Sequence, residues 1–368
     1  MVLPHKERFT ETGAGAIARC CQVLLDTPDG LDKKIIGVAL DNPLDTTRYI
    51  AAKPGFSLFH SRNMRFAKGY CQAIRTGLIP APDCIEVHSR CQVAAFLART
   101  LPEIPVILYL HNDAREMVGG RTVGERKSLL ERLAGIITVS DYLRQAFMTG
   151  LELEEADARR IITVHNGVER FARTPTVKDP LILFAGRIVP EKGVLQLAEA
   201  LADTLPKYPD WRAIVAGAHD FAQGETKTGR KDSYGRRVAE TLKPLGDAVS
   251  MPGLLDSMTL RDCQQRAAII CVPSVFQEPF GLVVAEAMAA GAALIASRRG
   301  GIPEITADAA LLLETPDRQS LAAALERLMT DDSHRMLLQQ RAWTGFRHTT
   351  LAMRQTAAQA RLTLLGKI

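Results

Sequence analysis

The distribution of apolar positions along the chain predicts short buried strands that alternate with helices. Continuous apolar runs favour strands that are covered on both faces, whereas apolar residues spaced three and four apart favour helices that pack on one side. In the first half of the chain this pattern predicts strands at 35–39, 84–87, 106–110, 135–139 and 161–164. The helices predicted around them lie at 15–25, 63–76, 92–99, 124–132 and 142–147. Such an alternation is typical of parallel sheets with helices on both faces.

A second set of elements follows the polar, proline-containing segment 170–180, which has the composition of a linker. Its predicted strands lie at 181–185, 211–216, 248–251, 268–272 and 292–296. The predicted fold class is therefore α/β, with two Rossmann-like, doubly wound parallel-sheet domains facing a cleft. The predicted domains are 1–172, 178–341 and a final helical segment, 342–368, that crosses back to the N-terminal domain.

Length and composition agree with two globular domains and narrow the range of partners. A chain of 368 residues exceeds one ordinary core, and 46% hydrophobic with 24% charged residues is typical of a soluble α/β protein. The net charge of +5 without long runs of like charge argues against a nucleic-acid partner. Seven cysteines without metal-type spacing predict free thiols in a reducing cytoplasm. No signal segment or membrane-spanning run is visible, so any membrane contact is expected to be peripheral, on the inner face.

The stretch FAGRIVPEKG, at 184–193, is the first candidate for chemistry. An apolar strand ends at Gly186, the loop offers Arg187, and a helix begins with a proline, which suits a first turn. Lys192 also lies in that turn, where the helix dipole disfavours a cation by up to about 1 kcal/mol, so a compensating negative group is expected nearby. A guanidinium fork and an ammonium suit a diphosphate at the carboxyl ends of strands. A solvated loop with an arginine–glutamate ion pair is the alternative.

The stretch EPFGLVVAE, at 278–286, places two carboxylates around a helix entrance. Glu278 precedes the turn, and the helix that starts at Gly281 has free N–H groups that can hold a phosphate. Glu286 lies roughly 9 Å further along the axis of an otherwise apolar helix. One ligand with a phosphate at the entrance, a sugar near the first glutamate and a ribose near the second would explain both carboxylates. Glutamates bonded to backbone or to arginine are the alternative.

These motifs, taken in order, resemble a known family. FAGRIVPEKG, EPFG with Glu286, GGIPE at 300–304 and HNGV at 165–168 resemble the retaining glycosyltransferases of family four, which have the glycosyltransferase B fold. The resemblance implies that Arg187 and Lys192 bind the donor phosphates, that Glu278 contacts the donor sugar and that Glu286 binds the ribose. The further donor-binding residues that it implies are Gly186, Gly217, Phe280, Gly281 and Leu282, with the amides of the last two capping the phosphate.

A glycine-rich turn near the N-terminus, ETGAGA at 11–16, leads into the first predicted helix. A dinucleotide-binding fingerprint would need a preceding strand and a suitably placed acidic residue, and neither is convincing here. The resemblance implies instead a loop over the donor diphosphate, where Gly13 and Gly15 permit close backbone approach.

The strand at 106–110 ends in three polar residues at the mouth of the presumed cleft, a favourable place for chemistry. By resemblance, His111 is expected to be catalytic and to hydrogen-bond the donor sugar, and Asn112 or Asp113 to contact the acceptor. His88 ends another strand, and for it a structural role is the favoured interpretation.

The helix at 63–76 carries Arg65 and Lys68, preceded by Arg62, beside apolar residues. A basic amphipathic helix can lie on an anionic membrane, but an ordinary surface helix is the favoured interpretation. The chain contains no Asp-x-Asp, His-Glu-x-x-His or phosphate-loop motif, so neither a metal nor a cofactor is expected. Hydrolase chemistry of the Gly-x-Ser-x-Gly type is likewise absent.

The resemblance implies a retaining, metal-independent enzyme that moves a sugar from a nucleoside diphosphate-sugar to an acceptor hydroxyl. The acceptor is expected to be a glycan or lipid-linked sugar of the cell envelope, lipopolysaccharide or exopolysaccharide. Residues 166–167 are expected to form a hinge for closure. Positioning and charge stabilisation would carry catalysis. The expected catalytic residues are His111, Arg187, Lys192 and Glu278. The alternatives are a sugar-nucleotide epimerase of the same fold, a non-catalytic nucleotide-sugar-binding protein and an NAD-dependent oxidoreductase.

Overall fold

The computed structural model describes residues 1–11, 14–55, 61–170, 177–218 and 233–367. Its contacts divide the chain into two compact units. The first unit contains Met1–Gly167 together with Thr350–Ile368, and the second contains Val168–Thr349. The assignment of one unit to the acceptor and the other to the donor remains a prediction.

The first unit is built on parallel strands. They are β1 (Ile35–Gly37), β2 (Tyr49–Ala51), β3 (Ile85–His88), β4 (Val106–Leu110), β5 (Gly135–Thr138) and β6 (Ile161–Thr163). β3, β4, β5 and β6 pair in chain order, and β1 pairs with β2. Val2 bridges Ile36 of β1 and Val87 of β3, so the first residues of the chain connect the two groups of strands. β3, β4 and β5 are buried along their whole length, which explains their continuous apolar runs.

In the described part of the first unit, six α-helices precede the linker. They are α1 (Ala16–Leu25), α2 (Arg62–Arg75), α3 (Cys91–Thr100), α4 (Val123–Arg132), α5 (Asp141–Met148) and α6 (Glu155–Ala158). Local chemistry sets several of their starts. α4 begins with a capping box between Thr122 and Glu125, and Ser140 caps α5 by accepting a hydrogen bond from the Leu143 N–H.

The second unit contains one six-stranded parallel sheet. Its strands are β7 (Asp179–Ala185), β8 (Arg212–Ala216), β9 (Val249–Gly253), β10 (Ala267–Val272), β11 (Ala293–Ser297) and β12 (Ala310–Leu313). Their order is β12-β11-β10-β7-β8-β9. β8 and β9 therefore follow β7 on one side of the sheet, whereas β10, β11 and β12 follow on the other side. A reversal of this kind leaves a crevice at the carboxyl ends of the two central strands, where ligands of open α/β sheets bind.

Among the residues described, seven α-helices accompany this sheet. They are α7 (Val194–Thr204), α8 (Ser233–Leu242), α9 (Ser257–Arg266), α10 (Leu282–Ala289), α11 (Ile302–Thr306), α12 (Arg318–Thr330) and α13 (Asp332–Gly345). α7 packs beside α8 and α12, and its leucines Leu197 and Leu201 are completely buried. The helix predicted to begin at the proline of FAGRIVPEKG is a 3₁₀ turn, Pro190–Lys192, that leads into α7.

The last helix, α14 (Thr350–Leu364), belongs to the first unit. Arg354 Nε donates to the Val23 carbonyl oxygen near the end of α1, at 3.0 Å. The helical stretch predicted from residue 342 onward is thus divided between α13 and α14. Residues 346–349 interrupt it, because Thr349 forms a parallel bridge with Val168 instead of a helical turn.

Candidate active site

The loops that follow β7 and β10 meet at the reversal of the strand order in the second unit. The Val275 N–H donates to the Glu191 carbonyl oxygen at 2.9 Å. Gly193 has a φ of 67°, and a Cβ on it would lie 2.0 Å from the Pro273 carbonyl oxygen. Only glycine fits this approach without strain, so the two loops form one closely packed structure.

Lys192 and Glu278 form an ion pair across these loops. Lys192 Nζ donates to Glu278 Oε1 at 2.7 Å and lies 4.8 Å from the centroid of the Phe276 ring. The Ser274 hydroxyl donates to the same carboxylate oxygen at 2.5 Å. Ser274 is fully buried and Glu278 is 6% exposed. Glu278 is therefore the negative group that compensates the cation in the first turn, and its Oε2 accepts no hydrogen bond from the residues described.

Arg187 stands apart from this pair. Its side chain is exposed and forms no ion pair or hydrogen bond with the part of the chain that the structure describes, so the alternative of an arginine–glutamate pair in this loop is not observed. Its loop is fixed by the backbone, since the Gly186 N–H donates to the Ala216 carbonyl oxygen at 3.0 Å. A Cβ on Gly217 would lie 1.7 Å from the Gly186 carbonyl oxygen, which brings the ends of β7 and β8 into direct contact.

The entrance of α10 is formed by backbone alone. Gly281, with a φ of 105°, caps the helix without any side-chain hydrogen bond, so the first N–H groups of the helix have no intrahelical partner. Leu282 is half-buried at this position. The Phe280 side chain is 2% exposed and packs edge-on against His348, with 5.7 Å between the ring centroids.

Glu286 lies on α10 and is held by the neighbouring helix α9. Its Oε2 accepts a hydrogen bond from Gln264 Nε2 at 2.7 Å, and Gln264 is 2% exposed. For Glu278 the observed partners are a lysine and a serine in place of backbone or arginine, and the partners of Glu286 include this glutamine.

The GGIPE stretch after β11 packs onto the Glu278 loop. The Gly301 N–H donates to the Glu278 carbonyl oxygen at 2.8 Å, and the Gly300 N–H donates to Gln277 Oε1 at 2.6 Å. Gly300 has a φ of 56°, and a Cβ on it would lie 2.0 Å from the same carbonyl oxygen of Glu278. Three strand ends therefore determine the position of this carboxylate.

In the first unit, His111 follows β4 and belongs to a buried polar chain. Its N–H donates to Ser89 Oγ at 2.9 Å, and its Nε2 lies 2.8 Å from Nδ1 of His88. His88 Nε2 lies 2.9 Å from Glu86 Oε1, and Arg361 of α14 donates to both oxygens of Glu86 at 2.8 and 3.1 Å. His88 has no exposed surface and His111 is 8% exposed.

The ionisation of this chain follows from burial and charge. Burial lowers the pKa of both histidines, and for His111 the neighbouring His88 lowers the pKa further. Burial alone would raise the pKa of Glu86, but the Arg361 guanidinium and the hydrogen bond from His88 hold it well below its usual range. At neutral pH these four linked side chains are therefore one arginine cation, one carboxylate and two neutral imidazoles.

The two predicted acceptor contacts lie next to His111. Asn112 is exposed, and its Nδ2 lies 3.5 Å from Ser89 Oγ. The Asp113 carboxylate is engaged by Arg115, with distances of 2.6 and 3.0 Å, and caps the following 3₁₀ turn. An acceptor hydroxyl that binds Asp113 would therefore share it with Arg115.

The glycine-rich turn is described only in part. Gly13 lies outside the described residues, and Gly15 is the N-cap of α1. A Cβ on Gly15 would lie 2.7 Å from Glu7 Oε2, which also accepts a hydrogen bond from the Ala18 N–H at 3.4 Å. The entrance of α1 is thus already next to a carboxylate.

Sequence reasoning missed several residues that hold the predicted ones. Glu86 could have been noticed, because it lies two positions before His88 and therefore on the same face of a strand. Ser274 lies four positions before Glu278 in a loop and carries no comparable signal. Gln264 and Arg361 lie on other helices, and no local pattern connects them to their partners.

The described residues also include no helix long and apolar enough to cross a bilayer.

Comparison with known proteins relates this geometry to a family. Residues 167–343 match the family model described as glycosyl transferases group 1. This segment, just under half of the chain, is similar to the group 1 glycosyl transferases. The match covers most of the second unit and includes every motif discussed after the linker, so the resemblance drawn from FAGRIVPEKG and EPFG is confirmed.

Two curated relatives extend the similarity beyond this segment. The chain is 25% identical over 271 residues to a lipopolysaccharide 1,2-N-acetylglucosaminetransferase of Salmonella typhimurium, covering 70% of this chain and 66% of that protein. It is 27% identical over 268 residues to a phosphatidyl-myo-inositol mannosyltransferase of Mycolicibacterium smegmatis, covering 69% and 64%. This chain thus matches slightly less than two thirds of the length of these relatives.

The solved structure of Anabaena HepE in complex with UDP and glucose has the same fold. The TM-score is 0.74 at 16% sequence identity, and the match covers 98% of both chains. The predicted fold class is confirmed: the chain is α/β, with two Rossmann-like sets of parallel strands, and its fold is of the glycosyltransferase B type.

Proposed function

We propose that this protein is a glycosyltransferase that moves a sugar from a nucleoside diphosphate-sugar to an acceptor hydroxyl. The observation that carries the proposal is the Lys192–Glu278 pair at the strand reversal of the second unit, between exposed Arg187 and the uncapped entrance of α10. Cations and free N–H groups on either side of a buried carboxylate suit a ligand with a diphosphate next to a sugar. The group 1 family match supports the same assignment.

Each residue then has a specific role. Arg187 and the N–H groups of Gly281 and Leu282 bind the diphosphate, and Lys192 neutralises the charge that develops as the glycosidic bond breaks. Glu278 accepts hydrogen bonds from hydroxyls of the transferred sugar through its open Oε2. Glu286, held by Gln264, accepts hydrogen bonds from the ribose.

In this proposal the anomeric carbon of the transferred sugar has the same configuration in the product as in the donor. The leaving phosphate accepts the proton of the acceptor hydroxyl on the same face, so no protein nucleophile is required. No metal takes part, because Arg187, Lys192 and the helix N–H groups supply the positive charge. Uridine diphosphate-sugars are the first donors to test, since the Anabaena neighbour was crystallised with UDP and glucose.

The acceptor is proposed to be a growing glycan or lipid-linked sugar of the cell envelope. The Salmonella and Mycolicibacterium relatives are named for transfer to lipopolysaccharide and to a phosphatidylinositol. A lipid-linked acceptor would bring the protein to the inner face of the membrane. Arg62, Arg65 and Lys68 on α2 are the proposed contact for anionic headgroups, since Met64 and Phe66 are buried and anchor the helix to the first unit.

Thermal unfolding in the presence of nucleoside diphosphates and their sugars tests donor binding. A ligand at 100 times its Kd stabilises the folded protein by about 2.7 kcal/mol. Arg187→Ala is expected to weaken binding roughly ten- to hundredfold, because it removes a charged partner of the diphosphate, and to leave stability without ligand unchanged. Arg212→Ala, which removes another exposed arginine at the opposite, amino-terminal end of the sheet, is the matched control. Equal ligand shifts in both variants would contradict the phosphate assignment.

Turnover assays test the reaction itself. Transfer is expected to require both donor and acceptor and to continue in the presence of a chelator such as EDTA. NMR of the product is expected to show the anomeric configuration of the donor. Product formed from the donor alone would indicate an epimerase, an inverted product would refute retention, and loss of turnover with EDTA would refute metal independence.

A further inference from the structure

The buried polar chain that ends at His111 includes three residues to which the proposed reaction assigns no role. It runs from Arg361 on α14 to Glu86 and His88 on β3 and then to His111 after β4. Glu86 and Arg361 are 5% and 4% exposed. Every link is a hydrogen bond of 3.1 Å or less.

The protons along this chain can be placed by elementary hydrogen-bond chemistry. Ionised Glu86 can only accept, so His88 must donate to it from a protonated Nε2. A neutral imidazole that is protonated on one nitrogen accepts on the other, so His88 Nδ1 accepts a hydrogen bond from His111 Nε2. His111 therefore carries its proton on Nε2, and its Nδ1 retains a lone pair with no hydrogen-bond partner among the residues described.

The surroundings favour neutral imidazoles. Tyr109 stacks against both rings, with centroid distances of 5.1 Å to His88 and 4.9 Å to His111. The Tyr109 hydroxyl is buried and has no hydrogen-bond partner in the described part of the chain, so it does not compete for the imidazole nitrogens. Beyond Glu86, the charges that act on His88 are the N-terminal amino group of Met1 and Arg361, which also donates to Asp29 at 3.1 Å.

We propose that Glu86, His88 and Arg361 are positioning residues that fix the tautomer and ring orientation of His111, so that His111 Nδ1 presents a lone pair to a substrate hydroxyl. The carboxylate makes His88 a better acceptor, and His88 in turn makes Nδ1 of His111 more electron-rich. A chain of this kind is known to orient histidines at metal centres, where removing an outer partner costs about ten- to hundredfold in function. The role of His111 toward the sugar rests on the proposed function, but the placement of its proton does not.

Nitrogen-15 NMR of histidine side chains tests the placement directly, without substrate. The signals of His111 are assigned from a His111→Asn variant. The wild-type protein is expected to show both imidazoles neutral and protonated on Nε2 at pH 7.5. A wild-type spectrum with the proton of His111 on Nδ1, or with either ring charged at that pH, would overturn the proposal.

Variants separate positioning from packing. His88→Leu removes the acceptor, so His111 is expected to exchange between tautomers and kcat to fall roughly ten- to hundredfold with a smaller change in KM. His88→Gln restores a carbonyl acceptor, so it is expected to recover part of the preference for one His111 tautomer and part of kcat. Arg126→Lys is the matched control, because Arg126 is another buried arginine of the first unit, 3% exposed, that hydrogen-bonds only backbone carbonyls.

Three outcomes decide between the readings. Altered His111 signals in His88→Leu but unaltered signals in Arg126→Lys support the positioning role. Unaltered His111 signals in His88→Leu, or the same loss of kcat in Arg126→Lys, overturn it. Because the spectra need no donor or acceptor, a failure of the proposed transferase activity would leave this result standing.

Discussion

At the scale of single residues, the second unit shows how one carboxylate is held for use. Glu278 accepts from Lys192 and Ser274 through the same oxygen, which leaves its other oxygen for a ligand. A buried carboxylate with a single partner would lose much of the orientation that two donors impose. Ser274 is therefore expected to matter for the reaction although it touches no substrate in the proposed mechanism.

Ser274→Ala is predicted to lower kcat/KM about tenfold, because Glu278 loses one of its two hydrogen-bond donors and with it about 1.5 kcal/mol. Steady-state kinetics with a fixed acceptor measure this effect. Ser297→Ala is the control, since Ser297 is equally buried in the same unit and its hydroxyl has no partner to lose among the residues described. Comparable kinetic losses in the two variants would show that burial, and not the bond to Glu278, explains the effect.

The sequence predicts residues of this kind only when they carry a charge in a recognisable context. Lys192 was placed correctly next to an unidentified negative group, because a cation in a first helical turn is unfavourable by itself. Ser274 and Gln264 were not predicted, because a neutral side chain in a loop or on a helix gives no signal until its partner is seen.

At the scale of elements, glycines determine how closely the loops of the second unit approach one another. A Cβ added to Gly193, Gly217 or Gly300 would lie 2.0 Å or less from a backbone carbonyl oxygen. These contacts join the ends of β7, β8, β10 and β11 around the proposed donor site. Backbone packing therefore holds these loops together in addition to the Lys192–Glu278 ion pair.

Gly193→Ala is predicted to destabilise the second unit by about 3 kcal/mol, because alanine meets both an unfavourable positive φ and the Pro273 carbonyl oxygen. Urea unfolding followed by tryptophan fluorescence measures this unit selectively, since the chain has two tryptophans, Trp211 and Trp343, and both lie in it. Gly345→Ala is the control, because its Cβ would meet nothing within 4 Å. A loss below 1 kcal/mol in Gly193→Ala would contradict the close approach.

Most strands and helices were predictable at this scale, and the exceptions have physical reasons. The buried strands of both sheets give continuous apolar runs, and their predicted limits agree within two residues of those observed. β2 and β12 were missed, although YIA and ALLL are apolar, because an apolar run of three or four residues does not distinguish a strand from a helix. The segment predicted as a linker up to residue 180 ends earlier, since β7 begins at Asp179.

At the scale of the whole molecule, the first unit is expected to lose stability in mild acid. Both His88 and His111 have a lowered pKa in the folded state, so the unfolded chain binds more protons than the folded chain below about pH 6.5. Their contribution to stability is present above that pH and is lost as the pH falls toward the folded values. Glu86, whose pKa is also lowered, acts in the same direction at still lower pH.

The free energy of unfolding of the first unit is predicted to fall between pH 7.5 and 5.5 by up to about 1.4 kcal/mol per pH unit for each histidine. Urea unfolding followed by circular dichroism measures the loss, with tryptophan fluorescence of the second unit as the internal reference. A His88→Gln, His111→Gln double variant should flatten the slope. A slope equal to that of the wild type would show that other groups titrate.

The two units and their parallel sheets were predictable from length and pattern, but the electrostatics of the first unit were not. Glu86 and Arg361 are separated by 275 positions, and no periodicity in either element indicates that they meet. Long-range pairs of this kind become visible only after α14 has been placed in the first unit.

The return of α14 also determines which pieces of the chain can exist independently. Residues 168–349 are continuous and carry their whole sheet, so they form a natural recombinant fragment. A product that ends at residue 167 would keep Glu86 buried without its guanidinium partner, an arrangement that costs several kcal/mol and favours aggregation. Anyone dividing this protein for crystallisation or labelling should therefore supply residues 350–367 together with the N-terminal piece, in trans or through a designed linker.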